Sequence, residues 1–192
     1  MKPEYVIIIE RLKQNDPTLT VLNLAQKELT PEESQAILEA LKGNTTVTKL
    51  CYLGNDSSGE TAKVLGEMLG INQTIKQLYL GTNHLGDLDL WYIITGMMRN
   101  TSINLLDLNS NLFKAARPIA HLLEHHTHLE EIELTNSQID EAGFREMCSA
   151  LQRNEHSSLT TFNVYFPPVL CMDDFDKLCR DNADKHRSSL GL

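Results

Sequence analysis

Apolar and polar positions recur along this chain in one fixed order, L-x-x-L-x-L, with a polar residue three positions after the last leucine. The clearest copy is the segment "IKQLYLGTNHL", in which Leu78, Leu80 and Leu85 surround one polar residue, Asn83. Related segments begin at residues 19, 47, 75, 103, 129 and 159, and their spacing is 28 residues three times, then 26 and 30. This regularity predicts one structural unit repeated six times.

A fixed period of this length that carries L-x-x-L-x-L-x-x-N-x-L is typical of a leucine-rich repeat. The L-x-L part predicts a short strand, because alternate residues of a strand point to opposite sides and the two leucines then share the inner side. We therefore predict an α/β leucine-rich-repeat solenoid, a right-handed β-α superhelix with about six parallel strands on the concave side and helices on the convex side.

The recurring asparagine follows directly from this geometry. The chain must turn sharply after each strand, which leaves backbone N–H and C=O groups inside the coil. A buried amide can donate and accept hydrogen bonds, so that stacked copies form a structural ladder of Asn55, Asn83 and Asn111. Lys27 and Ser137 occupy the same position in the first and fifth repeats, where we expect looser turns.

The segment "TPEESQAILEALKGN" predicts the helical half of a repeat, with Thr30 as N-cap, Pro31 at the first position and Glu33 closing a capping box. Asparagine also recurs where successive helices end, at Asn44, Asn72 and Asn100, and a histidine takes the place at 126. Because asparagine tolerates the left-handed conformation, we expect these residues to be C-terminal helix caps. The N-x-S/T matches there are then part of the turns and not glycosylation sites.

The irregular parts of the pattern predict where the array ends. The fourth repeat is two residues short and contains Pro118, which predicts a short helix. The motif fails at "YFPPVL", because Pro167–Pro168 cannot continue it. We predict one leucine-rich-repeat domain over 1–192, in which 1–18 form an N-terminal capping helix, 19–169 the repeats, and 170–192 a C-terminal capping helix and tail.

Composition and charge narrow the class of partner. The 192 residues are 41% hydrophobic and 22% charged, with a formal net charge of −9, which disfavours nucleic acid and argues for a protein with a basic or neutral face. No apolar run is long enough to span a membrane. Cys51, Cys148, Cys171 and Cys179 are unclustered, so we expect free thiols and a cytoplasmic location. We also expect the chain to be a monomer.

The sequence contains no motif for catalysis. Gly-rich phosphate loops, nucleophile elbows and paired carboxylates are absent, and we predict neither enzyme activity nor a cofactor or metal. One alternative is left open by the stretch "HLLEHHTH", which spans His121 to His128 and places His121 and His125 at the i, i+4 spacing of a zinc pair. A structural role at the end of a helix is the competing explanation.

The side chains between the leucines should form the concave face. Six strands spaced about 4.8 Å apart give a surface about 24 Å across. Apolar residues gather near its middle beside acidic ones, an arrangement typical of an interface anchor with a steering edge. We predict that a partner binds on this face at ten positions: Lys49, Cys51, Leu53, Gln77, Tyr79, Leu105, Asp107, Asn109, Glu131 and Glu133.

Two groups of segments resemble known families. "LGD" at 85–87 and "IDEAGF" at 139–144 are similar to strand-to-helix connections of ribonuclease-inhibitor-like leucine-rich repeats. "LKQNDPTLTVLNL" at 12–24 and "LGEMLGINQTIKQLYL" at 65–80 resemble stretches of the tropomodulin and leiomodin repeat domain. Tropomodulins cap actin pointed ends, so this resemblance implies an alternative function as an actin-binding cytoskeletal regulator. Similar repeats also occur in bacterial effectors, which implies a second alternative, action on proteins in a host cytosol.

Overall fold

The computed structural model describes residues 1–164, 176–177 and 179–184. Within 1–164, helices and strands alternate along the chain. The helices are α1 (Pro3–Lys13), α2 (Pro31–Lys42), α3 (Glu60–Ile71), α4 (Asp87–Met97), α5 (Arg117–His125) and α6 (Glu141–Arg153). The strands are β1 (Val21–Asn23), β2 (Lys49–Cys51), β3 (Gln77–Tyr79), β4 (Leu105–Asp107), β5 (Glu131–Glu133) and β6 (Thr161–Asn163).

The six strands form one sheet in the order in which they occur along the chain, and every neighbouring pair is parallel. Equivalent positions of the repeats are therefore aligned across the sheet. The first of these rows contains Val21, Lys49, Gln77, Leu105, Glu131 and Thr161. The predicted leucine-rich-repeat fold, with its strands on the concave side and its helices on the convex side, is confirmed.

The core lies between the sheet and the helices. The middle residue of each of the first five strands is buried: Leu22, Leu50, Leu78, Leu106 and Ile132. Ile37, Leu38 and Leu41 of α2 meet them from the other side and are fully buried. Each such side chain contributes roughly 1.5–3 kcal/mol through its removal from water. The regular spacing of leucines thus supplies one continuous core instead of a separate core for each repeat.

A ladder of asparagines runs through the turns that follow the strands, and we call it the first ladder. The Oδ1 atom of Asn83 accepts from the backbone N–H of Asn55 at 2.8 Å, and Asn111 does the same for Asn83 at 3.0 Å. Each amide also donates into the preceding coil, as when Asn83 Nδ2 donates to the carbonyl of Tyr52 at 2.8 Å. At the N-terminal end the ladder closes on the N–H of Lys27, 3.2 Å from Asn55 Oδ1.

The turns that hold this ladder are left-handed on both sides of the asparagine. Thr82 and His84, which flank Asn83, have φ angles of 54° and 56°. Gly54 and Asp56 repeat the arrangement around Asn55, with φ angles of 66° and 52°. A non-glycine residue at positive φ is uncommon and costs energy. Gly54 favours this conformation, and Asp56 and His84 are types that adopt it more often than most residues. Thr82 is β-branched, so the sequence does not reveal the conformation at that position.

The asparagines at the helix ends do not adopt the predicted conformation. The left-handed conformation predicted for Asn44, Asn72 and Asn100 is wrong, since none of the three has a positive φ. Asn72 is the C-cap of α3, as predicted, but its backbone is extended at φ −72° and ψ 122°. Their side chains satisfy backbone groups instead. The Oδ1 of Asn72 accepts from the N–H groups of Thr74 and Ile75 at 2.9 and 3.0 Å, so that a side-chain turn replaces a backbone turn.

The Nδ2 atoms of these residues form a second ladder, on the side of the solenoid where the helices end. Asn72 donates to the carbonyl of Asn44 at 3.0 Å, and Asn100 donates to that of Asn72 at 2.7 Å. His126 continues the series with Nε2 2.9 Å from the carbonyl oxygen of Asn100, and Asn154 Nδ2 donates to the carbonyl of His126 at 2.9 Å. Both ladders therefore link neighbouring coils from the first to the fourth repeat, and the second ladder alone continues into the fifth.

Helix boundaries follow the local chemistry of the sequence. The capping box at α2 is confirmed: Glu33 N donates to the Thr30 hydroxyl and Thr30 N to the Glu33 carboxylate. The predicted short helix of the fourth repeat is confirmed as the nine residues of α5, with Pro118 in its first turn. α1 packs on α2 and covers the N-terminal end of the array, with Tyr5 and Leu12 buried.

Two glycines bring α3 and α4 into direct backbone contact. A Cβ atom on Gly96 would collide with the carbonyl oxygen of Gly66, and one on Gly66 would collide with that of Tyr92. These two helices consequently make the closest contact of any neighbouring pair of helices in the described chain. The position of α4 is thus shifted toward α3 and away from α5.

The C-terminal part of the prediction falls partly outside the described residues. Pro167–Pro168, Cys171 and the predicted boundary between the repeats (19–169) and the C-terminal segment (170–192) lie outside the described residues. Residues 176–177 and 179–184 are helical, within the segment 170–192 for which a C-terminal helix is predicted. Asn182 is buried there and donates to the carbonyl of Leu159 at 3.1 Å. Of the described helices, none has both the length and the apolar character that crossing a bilayer requires.

Candidate functional site

The centre of the concave face is built around Tyr79. Its ring lies beside the Lys49 ammonium, with Nζ 4.6 Å from the ring centroid, and its hydroxyl lies 3.5 Å from Gln77 Oε1. Cys51 is aligned with Tyr79 on the neighbouring strand and is a half-buried free thiol. A cation over an aromatic face contributes about 0.5–1 kcal/mol at such an exposed site. These contacts hold the ring in a defined orientation.

Leu53 and Asn109 flank a glycine just beyond the ends of the strands. A Cβ atom on Gly81 would lie 2.9 Å from Leu53 Cδ2 and 2.8 Å from Asn109 Oδ1, so the two side chains close over the bare backbone between them. Leu53 is half-buried there, next to the strand that carries Tyr79. The aromatic and aliphatic residues predicted as anchors therefore lie on adjacent repeats.

The acidic side of the face is centred on Asp107. This residue is only 7% exposed, and its carboxylate accepts from the backbone N–H and the side-chain Nδ2 of Asn109 at 2.9 and 2.7 Å. Burial raises the pKa of Asp107, and the negative charge of Glu133 acts in the same direction. Glu133 itself accepts from the Thr135 hydroxyl and from Asn163 Nδ2, both at 2.8 Å. The carboxylates of Asp107 and Glu133 thus already accept hydrogen bonds from other residues of this chain.

Glu131 and Leu105 border a small polar cleft of about 160 Å³ at the N-terminal ends of the strands. The cleft also contains Asn104, whose Nδ2 lies 3.4 Å from Glu130 Oε2 and whose buried Oδ1 has no hydrogen-bond partner within the described structure. An unpaired amide oxygen offers a partner one acceptor. Asn104 was not predicted, because it lies just outside the L-x-L strand and carries no repeat signature.

The predicted site residues divide into two charged halves. Lys49 lies on β2, whereas Asp107, Glu131 and Glu133 lie on β4 and β5. Two to three strand spacings correspond to about 10–14 Å. A partner that spans the face therefore meets a cation and an aromatic ring at one end and carboxylates at the other.

The histidine stretch does not present its four rings to one point. His126 points inward, with Nε2 on the carbonyl of Asn100 and Nδ1 3.0 Å from the N–H of Leu129. His125 Nδ1 lies 3.0 Å from the carbonyl oxygen of His121. The described residues contain no cluster of three or more His, Cys, Asp or Glu that could hold a metal ion. His126 thus occupies the position in the second ladder that asparagine occupies in the preceding repeats.

Residues 4–111, more than half of the chain, match the family model described as the TMOD/LMOD leucine-rich domain. The chain belongs to this tropomodulin/leiomodin family of leucine-rich domains. The matched range contains both 12–24 and 65–80, the segments whose resemblance to this family was noted in the sequence, and that resemblance is confirmed.

This tropomodulin/leiomodin-type domain is similar to several known proteins. Leiomodin-1 of Homo sapiens is 29% identical over 126 residues, 63% of this chain and 21% of that protein. The ribonuclease inhibitor of Sus scrofa is 29% identical over 164 residues, 82% of this chain and 36% of that protein. The solved structure of Leiomodin-1 Actin-Binding Site 2 has a TM-score of 0.64 at 21% identity and covers 98% of this chain and 95% of that chain.

The matches cover different fractions of the proteins to which this chain is similar. The chain spans about a fifth of the length of leiomodin-1 and about a third of that of the ribonuclease inhibitor. The structural match shows a shared fold over nearly the whole of both chains. The names of the matched proteins denote an actin-binding site in one case and inhibition of an enzyme in the other, and both describe recognition of another protein.

Proposed function

We propose that this chain is a non-enzymatic protein-binding module of the cytoplasm, which binds its partner on the concave face, and that actin is the first candidate partner. The observation that supports the concave site best is the fixed arrangement of Tyr79, with Lys49 over its ring and Leu53 on the adjacent repeat. A few anchors, most often Trp, Tyr or Arg, supply most of the free energy in protein interfaces, and Tyr79 is of this type.

The proposed mechanism is rigid presentation. The two ladders and the parallel sheet fix the backbone before binding, so that docking orders few additional groups and loses little conformational entropy. Tyr79 and Leu53 provide the apolar contact. Glu131, at the acidic end, attracts a basic partner face and sets its orientation.

Membership in the tropomodulin/leiomodin family supports actin as the candidate, together with the shared fold with Leiomodin-1 Actin-Binding Site 2. The matched part of leiomodin-1 is 21% of that protein, so the proposal concerns binding by this domain and not the activity of the whole relative. The proposal includes one specific activity, which is that this chain slows the growth of actin filaments at their pointed ends.

The test combines actin co-sedimentation with pyrene-actin elongation from filaments whose barbed ends are blocked. The variant Tyr79→Ala/Leu53→Ala should weaken binding at least about tenfold, as expected for the loss of central anchors. Asn23→Ala, at the exposed position of β1 aligned with Cys51, is the matched control and should bind like the unaltered chain.

Two results would contradict the proposal separately. Unchanged actin binding by the double variant would place the interface away from the concave face. If the unaltered chain neither co-sediments with actin nor slows elongation, actin is removed as the partner. Affinity capture from native cytosol with the same pair of variants would then test the concave face against another protein.

A further inference from the structure

The convex helix α4 has an apolar outer surface. Leu88 is 64% exposed and Trp91 37% exposed, and Thr95 and Arg99 continue the same side of the chain at i, i+4 and i+8 from Trp91. From Trp91 to Met98 the sequence "WYIITGMM" contains no charge. A helix that is apolar all around is normally covered on all sides. An exposed apolar surface of this kind indicates an interaction site.

The neighbouring helix α5 presents a basic edge to this surface. Arg117, His121 and His125 are exposed and share one side of α5, since they are spaced four residues apart. The His121 ring centroid lies 6.5 Å from that of Trp91 and 4.7 Å from that of His125. An apolar row on α4 therefore runs beside a basic row on α5.

A cleft of about 230 Å³ separates the two rows. Its walls are Trp91, Ile94, Thr95, Met98, Arg99 and His121. The glycine contact between α3 and α4 explains its presence, because it draws α4 toward α3 and leaves α4 and α5 in looser contact. The shortened fourth repeat, with only nine residues in α5, has the same effect.

The cations around this cleft lack acidic partners. Arg99, Lys114 and Arg117 form no ion pair with any carboxylate of the residues that the structure describes. Several cations on other helices are paired, for example Lys42 with Glu39 and Glu67, and Arg153 with Glu124, whereas Lys13 of α1 has no ion pair among the described residues. A chain of net charge −9 thus carries cations without ion pairs near its single tryptophan, while the acidic residues of α4, Asp87 and Asp89, lie in the first turn of that helix.

We propose that the α4–α5 cleft is a second binding site, which takes an acidic amphipathic helix from a partner protein. The apolar side of that helix would fill the cleft against Trp91 and Leu88, as in other helix-in-groove interactions. Its carboxylates would meet Arg99 at one end and Arg117 at the other. The site lies on the opposite side of the solenoid from the concave face and does not depend on the function proposed above.

The cations at the cleft and the net negative charge of the chain favour an acidic helix over a second copy of the chain or a membrane. A second copy in a two-fold symmetric contact would bring the same cations against each other, which is unfavourable. A membrane with anionic lipids would attract the cations but repel the remainder of a chain with net charge −9. A single helix is narrow enough to meet the positive surface alone.

Trp91 provides a direct test, because it is the only tryptophan in the chain. The probe is a designed tryptophan-free helical peptide with leucines at i, i+3, i+4 and i+7 and glutamates beside them. The comparison peptide has the same leucines and lysines in place of glutamates. Titration of the full chain with the glutamate peptide should give a saturable blue shift of Trp91 emission, whereas the lysine peptide should give none.

Charge reversal assigns the effect to the cleft. Arg99→Glu/Arg117→Glu should weaken binding of the glutamate peptide at least about tenfold and allow the lysine peptide to bind. Lys13→Glu, an exposed unpaired cation on α1, is the matched control and should change neither result. Tyr79→Ala/Leu53→Ala should also leave the titration unchanged, which separates this site from the concave one.

Other outcomes overturn the proposal. Equal binding of both peptides, or no saturable shift with either, would remove the acidic helix as occupant. A concentration-dependent dimer in sedimentation velocity that is lost in Trp91→Lys would assign the surface to a second copy. A blue shift with phosphatidylserine-containing vesicles but not with the glutamate peptide would assign it to a membrane.

Discussion

The Nε2 atom of His126 lies 2.9 Å from the carbonyl oxygen of Asn100, while its Nδ1 atom lies 3.0 Å from the backbone nitrogen of Leu129. A carbonyl can only accept and an N–H can only donate, so the ring is the neutral tautomer with its hydrogen on Nε2. The imidazole thereby makes the same pair of contacts as Asn72 and Asn100 in the preceding repeats. The second ladder thus contains one titratable member.

Stability should decrease in mild acid because of His126. Burial lowers the pKa of this residue below its ordinary value of 6.5, and protonation would direct a hydrogen from Nδ1 at the N–H of Leu129. The folded pKa is then lower than the unfolded one, so the unfolded chain binds more protons as the pH falls. Urea denaturation should show full stability above pH 6.5 and a progressive loss as the pH falls from 6.5 toward the folded pKa.

His126→Asn should remove much of this pH dependence, because asparagine at the equivalent positions makes the same contacts without titrating. At pH 7.5 the variant should be about as stable as the unaltered chain, within about 1 kcal/mol. His156→Asn, in an exposed turn, should leave the pH dependence unchanged. An unchanged slope in His126→Asn would contradict the assignment.

Removing one amide of the first ladder should destabilise the fold. Asn83 is fully buried and satisfies backbone groups of two neighbouring coils, so Asn83→Ala leaves donors and acceptors without partners. We expect a loss of about 1–3 kcal/mol in the free energy of unfolding, measured by urea denaturation. Asn23→Ala, exposed on β1, should cost less than about 0.5 kcal/mol. Equal losses in the two variants would count against the ladder.

The left-handed turns predict a stabilising substitution. Thr82 is β-branched and has a φ angle of 54°, whereas the equivalent residue of the preceding repeat is Gly54. Thr82→Gly should raise the free energy of unfolding by about 0.5–1 kcal/mol, since the relief of strain exceeds the entropy that glycine adds to the unfolded chain. The reciprocal Gly54→Thr should lower it by at least about 1 kcal/mol. Thermal unfolding of the pair would measure both, and a destabilised Thr82→Gly would refute the argument.

The contact between α3 and α4 predicts that a single methyl group is harmful. In Gly96→Ala the new Cβ meets the backbone oxygen of Gly66, which has no rotamer to adjust, so we expect a loss of about 1–3 kcal/mol or more. Gly43→Ala is the matched control: its Cβ meets nothing within 4 Å and its φ is −99°. That change should stabilise the chain by about 0.4–1 kcal/mol. Similar melting temperatures for the two variants would contradict the packing.

In the candidate site, the sequence predicted which residues are aligned across the sheet. It did not predict which of their side chains are in contact. The exact 28-residue period aligned Lys49 with Gln77 and Cys51 with Tyr79, because equal spacing places equivalent residues in register. The period did not indicate that Lys49 lies diagonally over the Tyr79 ring. It also did not reveal the unpaired Oδ1 of Asn104. Side-chain conformation depends on neighbours from other repeats, which a repeat pattern does not specify.

The convex surface shows the same division. The sequence indicated a short α5 through Pro118 and a shortened period. It did not show that Gly66 and Gly96 would meet, since the two residues belong to different repeats and neither has a motif. Nor did it show the cleft beside Trp91, whose walls come from α4 and α5.

By itself the sequence determined the repeat, the parallel order and register of the strands, and the buried amides such as Asn83, because these follow from local periodicity and from the need to satisfy buried backbone groups. Only the tertiary structure decided the conformation of the helix-end asparagines, the inward position of His126 and the gap between α4 and α5. Those features depend on how closely neighbouring coils approach, and that distance is set by packing between repeats and not by the pattern within one.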